Sequence, residues 1–86
     1  MSSKQDIFEA ITYERIYQDE TWGSVEVHPH EPMGWMLIMQ YQLNKSIKYW
    51  MKGQHGKAML GILKTITVGV ACLEQHGLSM GDKPNE

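Results

Sequence analysis

The sequence has only one cysteine, Cys72, among its 86 residues, so no disulfide can form within one chain. A single unpaired cysteine is typical of a reducing compartment. The first six residues are polar and lack the apolar stretch of a secretory signal. No uninterrupted apolar run approaches the length of a membrane span, since the longest, residues 35–39, has five residues. We therefore expect a cytoplasmic protein with no membrane partner.

Acidic residues are missing from residues 32–73, although this stretch contains five lysines. The lysines are Lys45, Lys48, Lys52, Lys57 and Lys64. Residues 1–31 instead contain seven acidic residues, one lysine and one arginine. Two interpretations stay open: the acidic segment lies beside the basic one, within a chain or across a dimer, or the lysines bind a ligand phosphate. The net charge of −2 gives no reason to expect nucleic acid as a partner.

Apolar residues recur at helical spacing, which predicts an all-α protein. We predict helices over residues 6–17, 34–51 and 57–75, a loop over 20–33 and a tight turn over 52–56. Gly53 suits the left-handed end of the second helix, and Gly77 suits the end of the third. The short turn makes the last two helices an antiparallel hairpin. We expect a single domain over 1–86 with a frayed tail over 78–86.

The predicted hairpin has more apolar surface than two helices can bury against each other. We expect one stripe from each helix to form the core: Met36, Met39, Leu43, Ile47 and Trp50, and Met59, Leu63, Ile66, Val70 and Leu73. A hairpin this apolar needs another layer, which the first helix covers in part. We expect oligomerisation to complete this small helical bundle, with a homodimer as the simplest assembly.

The histidines and the cysteine form no recognised pattern for metal binding or catalysis. His28, His30 and Glu31 come closest, but three side chains in one loop do not complete a four-ligand site. Cys72 lies among apolar residues of the third helix, as a packed small side chain would. The sequence therefore predicts no catalytic residue, no metal site and no cofactor.

A more specific pattern lies at the end of the first helix. Residues 14–23 read ERIYQDETWG, and they are followed by His28, His30 and a tryptophan at the start of the next helix, Trp35. This order resembles the MazG-like nucleoside triphosphate pyrophosphohydrolases, especially phage-type members, and residues 71–74, ACLE, match the end of a later helix of that family. The resemblance covers residues 7–77 and implies an all-α bundle that acts on nucleotides with Mg²⁺.

The sequence departs from that family at the residues that bind the metal. The second helix places Tyr41, Gln42 and Lys45 where the family has three glutamates, and the third places Ile62 and Thr65 at its second acidic pair. Mg²⁺ needs hard oxygen ligands, usually carboxylates, and none of these five side chains is one. We therefore expect a non-catalytic descendant of the family, the alternative being a pyrophosphohydrolase with a relocated active site.

The place of the family's metal site is the candidate for ligand binding, with a nucleotide or another phosphate compound as the ligand. Lys45 can contact a phosphate directly, without Mg²⁺. The alternative for Lys45 is a salt bridge to an acid of the first helix. The candidate residues are Gln42, Lys45, Tyr49, Ile62 and Thr65.

Trp22 and Trp35 lie at the two ends of the long loop, and we expect both to be structural. Each ring can bury a large area and donate a hydrogen bond through its N–H, which would hold the loop against the bundle. The competing interpretation is that one of them stacks on a nucleotide base. If Trp22 is structural, its replacement by alanine lowers stability by roughly 3–5 kcal/mol.

Overall fold

A computed structural model describes residues 1–78, which form three α-helices. The helices are α1 (Lys4–Trp22), α2 (Pro32–Met51) and α3 (His55–His76). The predicted all-α fold is confirmed, and none of residues 1–78 belongs to a β-strand. Apart from Leu78, the expected frayed tail over 78–86 lies outside the described residues.

Each helix extends past its predicted range, and local capping signals account for several of the ends. The Ser3 hydroxyl accepts a hydrogen bond from the Asp6 N–H at 3.1 Å, while the Asp6 carboxylate accepts one from the Ser3 N–H at 3.2 Å. Helix α2 begins at Pro32, whose fixed φ suits a first turn. Gly53 and Gly77 have φ values of 76° and 79°, and they follow the ends of α2 and α3 as predicted.

Small residues hold α2 and α3 together in the predicted antiparallel hairpin. Ser46 is buried, and a Cβ atom added to Gly61 would overlap the Ser46 hydroxyl oxygen. Met39 covers a second glycine, Gly69, with its terminal methyl group 3.1 Å from the place of a Cβ atom. Ala58 is also buried in α3. The hairpin therefore closes along its small residues, where the two backbones approach most closely.

The prediction of the core is wrong, because the faces of α2 and α3 that are buried are not the ones predicted. Of the ten residues predicted to form it, only Met39, Leu63 and Val70 are half-buried, and the other seven are exposed. The buried cluster instead contains Trp35, Val68 and Ala71. None of these three residues belongs to the predicted stripes, because the helices approach each other along a different face, where small side chains such as Ser46 and Gly61 meet.

Most of the exposed apolar residues of the hairpin lie on one side, away from the residues of α2 and α3 that line the space beside α1. Met39, on the apolar stripe of α2, packs on Gly69, which lies one turn from both Ile66 and Leu73. The two apolar stripes therefore adjoin and form one surface, which we call the outer face. The outer face consists of Met36, Leu43, Ile47, Trp50, Met59, Ile62, Ile66 and Leu73.

Helix α1 packs on α3 alone. Within residues 1–78, no Cα atom of α1 lies within 8 Å of a Cα atom of α2. Arg15 pairs with Glu74, whereas Gln18, one turn further along α1, contacts Thr67, two turns earlier in α3. The two helices therefore run in opposite directions where they cross, and the space between α1 and α2 stays open above α3.

Among residues 1–78, one helix, α3, is long and apolar enough to cross a membrane by length and composition alone. An 18-residue window of this helix has a mean hydropathy of 1.5, and 28% of that window is buried. Helix α3 contains no long uninterrupted apolar run, because threonines, glycines and lysines lie among its apolar residues. The core helix of a helical bundle meets the same criterion, so the criterion does not distinguish a membrane helix from a core helix.

Candidate functional site

The loop between α1 and α2, residues 23–31, is fastened to the end of α3 by Gln75. The side-chain carbonyl of Gln75 accepts hydrogen bonds from the His30 N–H at 3.1 Å and from the Trp35 ring N–H at 2.9 Å. The Gln75 amide group donates to the His30 carbonyl at 2.8 Å. The rings of His30 and Trp35 meet edge to face, with their centroids 4.7 Å apart. The structural role predicted for Trp35 is therefore confirmed.

Arg15 joins α1 to α3. Its buried guanidinium donates from Nε to Glu74 Oε2 at 2.9 Å and from NH2 to Glu74 Oε1 at 2.8 Å. It also donates to Gln18 at 3.1 Å and to Asp19 at 3.0 Å. Gln18 in turn donates to the hydroxyl of the fully buried Thr67 at 2.7 Å. Part of the run over residues 14–23 therefore holds the helices together.

The Arg15–Glu74 pair makes part of the stability dependent on pH. The hydrogen bond from Arg15 lowers the pKa of Glu74, against a smaller opposing effect of burial. Because the folded-state pKa lies below the unfolded value, about 4.3 for a glutamate, the pair contributes its full stability above that value. The contribution is lost as the pH falls through the lowered folded-state pKa.

We expect Glu74→Gln to lower the free energy of unfolding by about 1–2 kcal/mol at pH 7, because the variant leaves the buried Arg15 without its main partner. The effect stays modest since the Glu74 side chain is 44% exposed. Urea unfolding at pH 7 and at pH 3 measures it, and the difference from the parent should shrink at the lower pH. Glu26→Gln, in the exposed loop, is the control. A Glu74→Gln effect that grows on acidification would contradict the assignment.

The open space between α1 and α2 is a cleft of about 690 Å³. Helix α3 forms its floor, and residues of the 23–31 loop line one end. Three aromatic side chains line the cleft while staying more than half exposed: Tyr17, Trp22 and Tyr41. Exposed aromatic rings around a concave space are suited to holding a flat, weakly polar group.

Trp22 does not have the structural role that the sequence predicts. Its side chain is 69% exposed, and its ring N–H has no acceptor within residues 1–78. The reason is that α1 remains helical through Trp22, and the chain reverses only at Gly23, whose φ is 92°. The ring therefore lines the cleft instead of the bundle core, which favours the stacking interpretation.

A second groove, of about 240 Å³, adjoins the cleft on the side of the hairpin turn. Its lining includes Lys45, Lys57 and Lys64, and none of its lining residues within 1–78 is acidic. We call it the lysine groove. Gln42 and Lys64 line both the lysine groove and the cleft, so the two spaces are neighbours.

The structure brings together three of the five residues predicted to bind a ligand. Gln42, Lys45 and Tyr49 line the lysine groove. Ile62 lies on the outer face, and the Thr65 hydroxyl donates to the Gly61 carbonyl at 2.8 Å, so neither lines the cleft or the groove. The positions of α3 that face this region are those of Lys57 and Lys64, a different side of the same helix.

The alternative role of Lys45, a salt bridge to α1, is not found within the chain. Both salt bridges within residues 1–78 belong to Arg15. The Lys45 Nζ atom instead lies 5.8 Å from the centroid of the Tyr41 ring. Lys57 is placed in the same way over Tyr49, at 5.6 Å. Within residues 1–78, neither lysine forms a salt bridge with a carboxylate, which suits an anionic ligand.

The residues at the family's metal positions do not fit Mg²⁺. Tyr41, Gln42 and Lys45 offer a phenol, an amide and a cation where hard carboxylate oxygens are needed. Within residues 1–78, no group of three His, Cys, Asp or Glu side chains is placed to hold a metal ion. Glu14 and Asp19 line the cleft, but Asp19 accepts a hydrogen bond from Arg15.

Comparisons of the chain with protein-family models, with curated proteins and with solved structures give no match.

Proposed function

We propose that this protein is a non-catalytic, MazG-like helical module that binds a nucleotide, or a related phosphate ligand, without Mg²⁺. The observation that supports this most directly is the junction between the two spaces. Gln42 and Lys64 line both the aromatic cleft and the lysine groove. A ligand that is flat at one end and anionic at the other can therefore occupy both.

The aromatic cleft suits the base of such a ligand. Trp22 and Tyr41 are exposed there, and Trp22 has no structural partner that would be lost when a ligand contacts it. Stacking of a base on an aromatic side chain contributes about 1–3 kcal/mol. The Gln42 amide can donate to or accept from the edge of a ring or a sugar hydroxyl.

The lysine groove suits the phosphates. Lys45, Lys57 and Lys64 line one small space, and none of them forms a salt bridge within residues 1–78, so an anion that binds there relieves their mutual repulsion. An ammonium group binds phosphate as a point charge and needs no bridging metal ion. Binding of this kind weakens as ionic strength rises.

One observation supports a second function, nucleoside triphosphate hydrolysis at a relocated site. Glu14 and Asp19 line the same cleft as the aromatic residues. Two carboxylates could share a metal ion, but Asp19 is already paired with Arg15 at 3.0 Å. Catalysis would therefore require Asp19 to leave Arg15, which makes this the less favoured function.

We expect ATP or another nucleoside triphosphate to bind in EDTA, and Lys45→Ala with Lys64→Ala together to weaken binding at least about tenfold, a loss of about 1.4 kcal/mol. Trp22→Ala should weaken the binding of the nucleotide but leave the binding of inorganic triphosphate unchanged, because only the nucleotide has a base. Calorimetry at low salt measures both. The control is Lys48→Ala, since Lys48 lines neither space.

Two results would contradict the proposal. Absence of binding by both nucleotides and inorganic triphosphate would show that the lysine groove is not a ligand site. Pyrophosphate release that requires Mg²⁺ and disappears in Glu14→Gln would identify the hydrolase instead.

A further inference from the structure

The outer face is an apolar surface that neither the bundle nor the candidate site uses. Its eight apolar side chains are each between 40% and 57% exposed. The lysines nearest to it along the chain do not lie on it, because Lys45, Lys57 and Lys64 line the lysine groove. The hairpin therefore separates a charged side from an uncharged apolar side.

The area of the outer face matches that of a protein interface. Eight large side chains that expose about half of their surfaces present on the order of 800 Å², which is close to the area each partner contributes to a standard interface. Isolated monomers seldom expose an apolar patch this large. Within the chain, residues 79–86 have only one large apolar side chain, Met80, and cannot supply a matching surface.

We propose that the occupant is a second copy of the chain, bound outer face to outer face with the two hairpins antiparallel. The four α2 and α3 helices then form a bundle, which is a common solution for hairpins with one apolar side. The contact is isologous, so each copy covers the other with the same residues. This inference does not depend on the proposed ligand, which binds on the opposite side of the hairpin.

The charge distribution decides between the two possible two-fold arrangements. The lysines at the turn end of the hairpin are Lys48, Lys52 and Lys57, while Glu31 lies at its open end. A parallel dimer would place the two lysine-rich ends side by side. The antiparallel dimer separates these three lysines from their copies by roughly 20–30 Å along the helices, at 1.5 Å per residue, which is about two to three Debye lengths at 0.1 M salt. It also places each lysine-rich end beside Glu31 of the other copy, whereas Glu74 is already paired with Arg15.

The two arrangements bring different helices into contact. A two-fold axis across the helices stacks α3 on α3 of the other copy, so that Met59 of one copy approaches Leu73 of the other. A two-fold axis along the helices stacks α3 on α2, so that Leu73 approaches Met36. Singly substituted cysteine variants in a Cys72→Ala background distinguish the pairs. A short bis-maleimide should link Met59→Cys to Leu73→Cys in a mixed sample, and it should not link Met36→Cys to Leu73→Cys.

Sedimentation of the full chain at micromolar concentration tests the dimer itself. The parent should have twice the mass of the chain, and Ile66→Glu should lose that doubling because it places a charge near the centre of the outer face. Ile16→Glu is the matched control: Ile16 is 49% exposed, against 42% for Ile66, but it lies on α1.

If Ile66→Glu fails to fold, the crosslinking result decides, because it uses folded variants of the dimer. A parent that sediments as a monomer would overturn the proposal. Preferential linkage of Met36→Cys to Leu73→Cys would overturn the antiparallel arrangement. Flotation of the parent with phosphatidylcholine vesicles, without self-association, would show that a membrane covers the outer face instead.

Discussion

Trp35→Ala is expected to lower the free energy of unfolding by about 3–5 kcal/mol, which is a large share of the total stability of a chain of this size. The Trp35 ring is 9% exposed and packs with Val68 and Ala71 in the buried cluster. Its removal also takes away the hydrogen bond from its ring N–H to Gln75. Urea unfolding followed by circular dichroism measures the loss.

The matched control is the other tryptophan that borders the same loop. Trp22→Ala should change the free energy of unfolding by less than about 0.5 kcal/mol, as surface substitutions usually do, because Trp22 is 69% exposed. Equal losses for the two variants would mean that Trp22 packs against the bundle in solution, and the stacking role proposed for it would be wrong.

The three helices could be predicted because their signals are local, but only some of their ends were. Gly53 and Gly77 follow the ends of α2 and α3 as predicted. Helix α2 begins at Pro32 rather than at residue 34, and α1 continues to Trp22 rather than ending at residue 17. The antiparallel hairpin could also be predicted, since it follows from the shortness of its turn. These features need no knowledge of which faces meet.

The core could not be predicted from apolar periodicity, because both α2 and α3 have two faces that can pack. Periodicity identifies the more apolar stripe, and this stripe became the outer face. The contact between Ser46 and Gly61 determines which faces pack, since it lets the two backbones approach along the less apolar sides of the helices. The sequence shows both residues, but not that they lie opposite each other.

Three of the five residues predicted for the candidate site line the lysine groove, and the other two do not. A site for an anion was one of two interpretations of the run of lysines without acids, and Lys45 and Gln42 line the lysine groove. Ile62 and Thr65 were placed there by the family resemblance, whereas the rotation of α3 presents Lys57 and Lys64 instead. The pairing of Arg15 with Glu74 joins residues 59 positions apart, and no local pattern predicts it.

The second large effect is expected at the closest approach of α2 and α3. Gly61→Leu should lower the free energy of unfolding by about 3 kcal/mol, at the upper end of the usual cost of overpacking. A new Cβ atom would overlap the Ser46 hydroxyl and lie 3.1 Å from the Ser46 Cβ and 3.5 Å from its Cα. Rotating the hydroxyl away leaves the tight contact with the Ser46 Cβ, and the rest of the leucine side chain has no free space beside Ser46, so α2 and α3 must shift apart. Thermal or urea unfolding measures the loss.

Three further substitutions test whether crowding against Ser46 causes the loss of stability. Gly56→Leu is the matched control in the same helix, where a Cβ atom meets nothing within 4 Å. It should leave stability unchanged or raise it by up to about 1 kcal/mol, because leucine has the higher helix propensity. The milder Gly61→Ala should be destabilising in the parent and less so when Ser46→Gly removes the opposing side chain. If Ser46→Gly gives no such relief, the hairpin does not close at this pair, and the packing that turns the apolar stripes outward would have to be different.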